Sequence, residues 1–116
     1  MSPGLSLYTS SLTADGTTTI YTVPPGISYQ IVHLVVVAEV RTTSLSGAGL
    51  AEVRLNGTQM ALIQFNFPPS GTNSRIQSKT INIVLSPGDT FTLTASLMAG
   101  GATAKGVVYI SGYDVP

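Results

Sequence analysis

The sequence predicts an all-β fold: an antiparallel β-sandwich, jelly-roll-like, of about eight strands, with a closed barrel as the alternative. Two observations carry this. Apolar and polar residues alternate with a period of two from one end of the chain to the other, and helical spacing never persists long enough to compete. The alternating runs are short, and turns containing Gly, Pro, Asn or Asp interrupt them roughly every dozen residues.

Taken in order, the first runs are Leu5 to Leu12 and Thr17 to Val23, which leaves residues 1–4 as a flexible arm. Pro24-Pro25-Gly26 then turns the chain into a long segment, Tyr29 to Val40, that is apolar on both faces. One face, Val32, Leu34, Val36, Ala38 and Val40, is predicted core. The other, Tyr29, Ile31, His33, Val35, Val37 and Glu39, needs a cover, from a loop, the opposite sheet or another subunit. Thr42 to Gly49, rich in Ser, Thr and Gly, is expected to be a mobile loop.

Leu50 to Leu55 sets Ala51, Val53 and Leu55 against Glu52 and Arg54. Asn56-Gly57 follows, and these two residue types accept the positive φ that a type I′ hairpin turn demands, so Leu55 and Thr58 are expected to face each other. Gln59 to Phe67 leads into a second loop, Pro68 to Ser74. Lys79 to Leu85 points Ile81, Ile83 and Leu85 inward and Thr80 and Asn82 outward, with Val84 intruding on the outer side. After the turn Ser86-Pro87-Gly88-Asp89, the run Thr90 to Leu97 alternates without a break: Phe91, Leu93, Ala95 and Leu97 inward, Thr90, Thr92, Thr94 and Ser96 in an outer threonine ladder. Gly100-Gly101 precedes the last strand, Lys105 to Tyr113. With no internal repeat and no linker, residues 1–116 read as a single domain.

Only 9% of the 116 residues are charged, 43% are hydrophobic, and five basic residues balance five acidic ones. A neutral chain carries no long-range field to gather nucleic acid or an anionic membrane surface, so direct nucleic-acid binding is not expected. Scarce surface charge also removes the repulsion that keeps copies apart, and the chain is expected to be an obligate partner in an assembly. There is no cysteine, hence no disulfide and no thiolate metal site. The longest unbroken apolar run, Leu34 to Ala38, is far short of the roughly 20 residues of a membrane-spanning helix. Met1-Ser2-Pro3-Gly4 shows no secretory signal, so synthesis in a cytoplasm is expected.

Catalysis needs titratable groups brought together, and the chain has few. His33 is the sole histidine and lies in an apolar strand, where a structural or interface role is expected; no metal-ligand spacing is present. Asp15 and Asp89 adjoin glycines and read as turn residues whose carboxylates accept backbone N–H groups. Paired carboxylates for glycoside hydrolysis could in principle converge from Glu39 and Glu52, but nothing in the sequence brings them together. No nucleophile elbow and no phosphate-binding glycine loop occurs. The expectation is no catalytic residue, no metal and no cofactor. Carbohydrate binding is the rival, but there is no Trp, and the five tyrosines fall mostly inside strand patterns.

Four stretches in this order, Thr18-Thr19-Ile20-Tyr21-Thr22-Val23-Pro24-Pro25-Gly26, Val53-Arg54-Leu55-Asn56-Gly57-Thr58, Leu85-Ser86-Pro87-Gly88-Asp89-Thr90 and Ile110-Ser111-Gly112-Tyr113, span nearly the whole chain. Together with the long apolar strand they make it resemble small virion proteins of tailed bacteriophages. The resemblance implies a jelly-roll-like sandwich serving as a capsid decoration (cement) protein, or as a module of neck or tail fibre. It carries no catalytic or metal residues to transfer. It implies a homo-oligomer, most simply a trimer, with the major capsid protein or other virion proteins as partners, in a virion made in a host bacterial cytoplasm. A host-glycan or receptor-binding head is the alternative from another class. The expected contact residues are Tyr29, Ile31, His33, Val35 and Val37 on the long strand and Leu45, Pro68 and Pro69 in the two loops.

Overall fold

The computed structural model describes residues 3–25, 28–42, 47–67, 73–99 and 102–115. Eight strands form among them: β1 (Pro3–Leu12), β2 (Gly16–Thr22), β3 (Ser28–Thr42), β4 (Gly47–Leu55), β5 (Thr58–Phe67), β6 (Asn73–Leu85), β7 (Thr90–Ala99) and β8 (Ala102–Val115). They pair antiparallel into two four-stranded sheets, a first sheet in the order β1-β8-β3-β6 and a second in the order β2-β7-β4-β5. This interleaving is that of an eight-stranded jelly roll, so the expected sandwich is present and the barrel alternative is not. No helix among the described residues is long and apolar enough to cross a membrane.

The alternation explains the core. On β3, Leu34, Val36, Ala38 and Val40 are fully buried; on β8, Ala104, Val108 and Ile110 lie beside them. The second sheet answers with Ala51, Val53 and Leu55 from β4 and Phe91, Leu93 and Ala95 from β7. Burying one Val, Leu, Ile or Phe side chain contributes about 1.5–3 kcal/mol, and with no disulfide this packing is what holds the sheets together. Gly106 leaves room for the facing sheet: a Cβ there would stand 2.8 Å from Ile20 Cδ1 and 3.0 Å from Val53 Cγ2. At the rim, the rings of Tyr8 on β1 and Tyr21 on β2 stack 3.7 Å apart, linking the two sheets.

Turn chemistry acts as expected at one end of the sandwich. Asn56 and Gly57 have φ of 51° and 83°, and Leu55 pairs with Thr58 across them. In the Ser86–Asp89 turn, Gly88 takes φ 89°, the Asp89 N–H donates to the Ser86 carbonyl, and the Ser86 N–H donates to Asp89 Oδ2 at 2.8 Å. Asn56 then ties the two turns together, donating from Nδ2 to Asp89 Oδ1 at 3.0 Å and accepting the Thr90 N–H on Oδ1 at 3.0 Å.

Three expectations change. Leu97 is exposed, not inward: β7 carries an extra residue between its pairings Leu50–Ser96 and Ala48–Ala99, Leu97 takes φ 57°, and Met98 packs against the core in its place. Asp15 Oδ1 accepts the Met98 N–H at 3.0 Å and so fixes the bulge; its carboxylate does cap backbone, but on a distant strand. Gly47, Ala48 and Gly49, expected in a loop, begin β4, and Gly49 is there because a Cβ would meet Met98 Sδ at 2.8 Å. Pro3 and Gly4, expected in a free arm, pair with Tyr113 and Gly112; β1 is an edge strand, where the N–H that Pro3 lacks is not needed.

Candidate interaction surface

The outer faces of the two sheets differ in chemistry. On the second sheet, β2 and β7 present a polar lattice in which the hydroxyls of Thr17 and Thr94 hydrogen-bond at 3.1 Å and those of Thr22 and Thr90 at 3.2 Å. Beside it Glu52 is buried although it points away from the core, and Arg54 Nη2 holds its Oε1 at 2.7 Å. Among the described residues no buried side-chain nitrogen or oxygen lacks a hydrogen-bond partner.

On the first sheet the outer face is apolar over much of its width. Register places the residues in rows: Leu7, Tyr109, Val35 and Thr80 across β1, β8, β3 and β6, then Thr9, Val107, Val37 and Ser78. Leu7, Ile76 and Val84 are 56–58% exposed and Tyr109 39%, while Val35, Val37 and Val107 are half-buried between their neighbours. The third row, Ser11, Lys105, Glu39 and Ile76, is charged, and with Thr9, Arg41 and Thr103 it lines a shallow depression of about 600 Å³. Among the described residues Glu52 and Arg54 form the one ion pair, so Glu39, Arg41 and Lys105 face solvent without bonding one another.

Of the residues expected to make contacts, His33, Val35 and Val37 lie on this face, His33 exposed and opposite Asn82 and Ser111. Register shifts interrupt β3 before His33 and align Tyr29 with Leu85 and Ile31 with Val84; the side chains of Tyr29 and Ile31, like Leu45, Pro68 and Pro69 altogether, lie outside the described residues. Sequence reasoning missed Leu7, Val107, Tyr109 and Ile76 as members of the same face. A signal existed for two of them, since Val107, Val108, Tyr109 and Ile110 are apolar on both sides of one strand just as β3 is. Glu39 and Glu52 do not converge: they sit on the outer faces of opposite sheets. No group of three or more His, Asp or Glu placed to hold a metal ion occurs among the described residues.

No protein-family model matches the sequence, and no curated protein matches it by sequence. Solved structures do share its fold. A part of dimeric latent PorU from Porphyromonas gingivalis superposes with a TM-score of 0.61 at 14% identity, over 95% of this chain and 12% of PorU. The C-terminal CBM6 of LamC, a marine laminarinase from Zobellia galactanivorans, superposes with a TM-score of 0.50 at 11% identity, over 91% of this chain and 98% of the module. A looser likeness, TM-score 0.43 at 17% identity, covers 94% of this chain and 32% of a chain in infectious bursal disease virus strain Gx. At such identities the likeness is one of architecture: the chain is an eight-stranded antiparallel β-sandwich.

Proposed function

We propose that this chain is a non-enzymatic structural module of a virion, a capsid decoration protein that bridges and stabilises shell subunits. The observation that carries the reading is the outer face of the first sheet, where Leu7, Val84 and Ile76 are each more than half exposed around a floor of valines. Solitary exposed apolar side chains are ordinary, but a run of them across four neighbouring strands is a surface made to be covered. The resemblance to tailed-phage virion proteins and the jelly-roll order supply the setting, and the scarcity of charge suits a protein that works by adhering.

The mechanism is linkage. A protein that binds the assembled shell and not its separated subunits adds RT ln(1 + [L]/Kd) to shell stability, about 2.7 kcal/mol per site at a hundredfold excess over Kd. The test is to add the purified protein to shells that lack it and to follow their thermal disruption. Shells carrying it are expected to open at a higher temperature, and Val37→Asp, which places a charge on the apolar floor, is expected to abolish the shift. Equal opening temperatures with and without bound protein would refute the reading. A glycan-binding head is the second reading, favoured by the hydroxyls and unpaired charges around the 600 Å³ depression. A glycan array on which binding is lost with Arg41→Ala would support it.

A further inference from the structure

We infer that the outer face of the first sheet seats a second copy of this chain, related by a twofold axis running along the strands between β3 and β8. The inference rests on the reading above and adds to it the partner and the geometry: a second copy covers this face, and the pair bridges shell subunits. Its basis is a self-complementary charge pattern on the two central strands of the sheet. Glu39 on β3 and Lys105 on β8 are register partners at the same level of the face, and neither is engaged in an ion pair among the described residues.

A twofold parallel to the strands lays β8 of one copy over β3 of the other, and the reverse. Glu39 then meets the second copy's Lys105, and Lys105 meets its Glu39, two opposite-charge contacts from one symmetry operation. The same operation sets Val37 over Val107 and Val35 over Tyr109, because these too are register partners. Arg41, one row further along the same face, comes to lie over Thr103 of the second copy. A twofold across the strands would lay the charged row towards the His33 end, where Asn82 and Ser111 offer no counter-charge. A translation without a closing rotation would match neither row twice and would propagate as an open filament.

The size of the face suits such a pair. Four strands about 4.8 Å apart, and nine residues of β3 at about 3.3 Å each, give roughly 19 by 30 Å, on the order of 600 Å² per copy. That is somewhat below the roughly 800 Å² per partner of a standard stable interface, so the dimer is expected to hold at high micromolar concentration and to dissociate on dilution. Sheets facing each other sit about 10 Å apart at about 30°, and over the two residues separating Val37 from Glu39 that angle moves the strands apart by only about 3 Å, within reach of lysine and glutamate side chains.

Light scattering on the full chain at about 100 µM is expected to give twice the 12.0 kDa chain mass. Glu39→Lys and Lys105→Glu should each weaken the dimer about tenfold by opposing like charges, and the double swap should restore it to within about threefold of the parent, with circular dichroism confirming that all four proteins are folded. A monomer or a trimer for the parent chain, or a double swap no better than the single ones, would overturn the inference. The shell assay separates this failure from failure of the broader reading. A monomeric parent whose attachment is lost with Val37→Asp means that the face docks on another virion protein, whereas a monomeric parent whose attachment survives that substitution sinks both.

Discussion

Gly106→Ala tests the closeness of the two sheets with one methyl group. The backbone at Gly106 is outside the left-handed region, so alanine meets no conformational obstacle there. Taken alone, the exchange would favour the folded state by about 0.5–1 kcal/mol, the entropy that glycine forfeits in a strand. Space opposes it. The added Cβ stands 2.8 Å from Ile20 Cδ1, 3.0 Å from Val53 Cγ2 and 3.4 Å from Leu93 Cβ, all closer than a relaxed carbon–carbon contact of about 3.5–4.0 Å. Ile20 and Val53 are both buried, so neither can move its methyl aside without disturbing the core around it. Overpacking of this kind costs about 1–3 kcal/mol, so a net loss of about 1–2 kcal/mol is expected, which in a domain of this size lowers Tm by roughly 4–10 °C.

A second substitution tells this explanation from others. Ile20→Val removes the very atom at 2.8 Å, and on its own should cost about 0.5–1.5 kcal/mol. In that background Gly106→Ala should cost about 1 kcal/mol less than in the parent, a coupling that a thermal-denaturation double-mutant cycle resolves. A Gly106→Ala protein as stable as the parent, or two effects that simply add, would refute the account of the core.

Other outcomes follow from single features. Leu97→Gly should raise the midpoint of chemical denaturation by an amount worth about 1 kcal/mol, since a leucine at φ 57° stores strain that glycine does not, and its side chain is already 58% exposed. No gain would mean that the bulge is unstrained. Asp89→Ala removes the acceptor for both the Ser86 N–H and Asn56 Nδ2, and calorimetry should show a loss of about 1–2 kcal/mol. The same substitution at the solvent-facing Thr80 should be neutral within about 0.5 kcal/mol. Arg54→Ala leaves Glu52, whose side chain is 10% exposed, without its partner, and should destabilise by about 1–2 kcal/mol, with Glu52→Gln in the same chain recovering part of it.

The elements were legible because each rests on local rules. Period-two alternation placed Leu34, Val36, Ala38 and Val40 in the core, and the positive-φ demand of a tight hairpin placed Asn56 and Gly57. What escaped depended on residues far apart in the chain. Leu97 fits a perfect alternation, and the bulge that turns it outward is held by the carboxylate of Asp15, in the connection between β1 and β2. Tyr21 turns inward with Ile20 because β2 carries an extra residue opposite β7. The first half of β6 shows no apolar period at all; pairing to β3 holds it, and Gln77 accepts the Leu62 N–H at 3.0 Å across to the second sheet. The candidate surface was half legible for the same reason. β3 announced a second apolar face, but that Leu7, Tyr109 and Ile76 extend it depends on a strand order that no local pattern encodes.

That order also decides when the molecule can complete itself. β8 is hydrogen-bonded on one side to β1 and on the other to β3, so during synthesis the first sheet cannot be completed until residues 102–115 emerge from the ribosome. A nascent chain in that interval is an open receptor for a β-strand, and the strand that suits it best is the one its neighbours on the same polysome are about to produce. Crowded translation therefore favours exchange of β8 between chains, and a peptide of this strand supplied in trans should rescue a chain severed between β7 and β8.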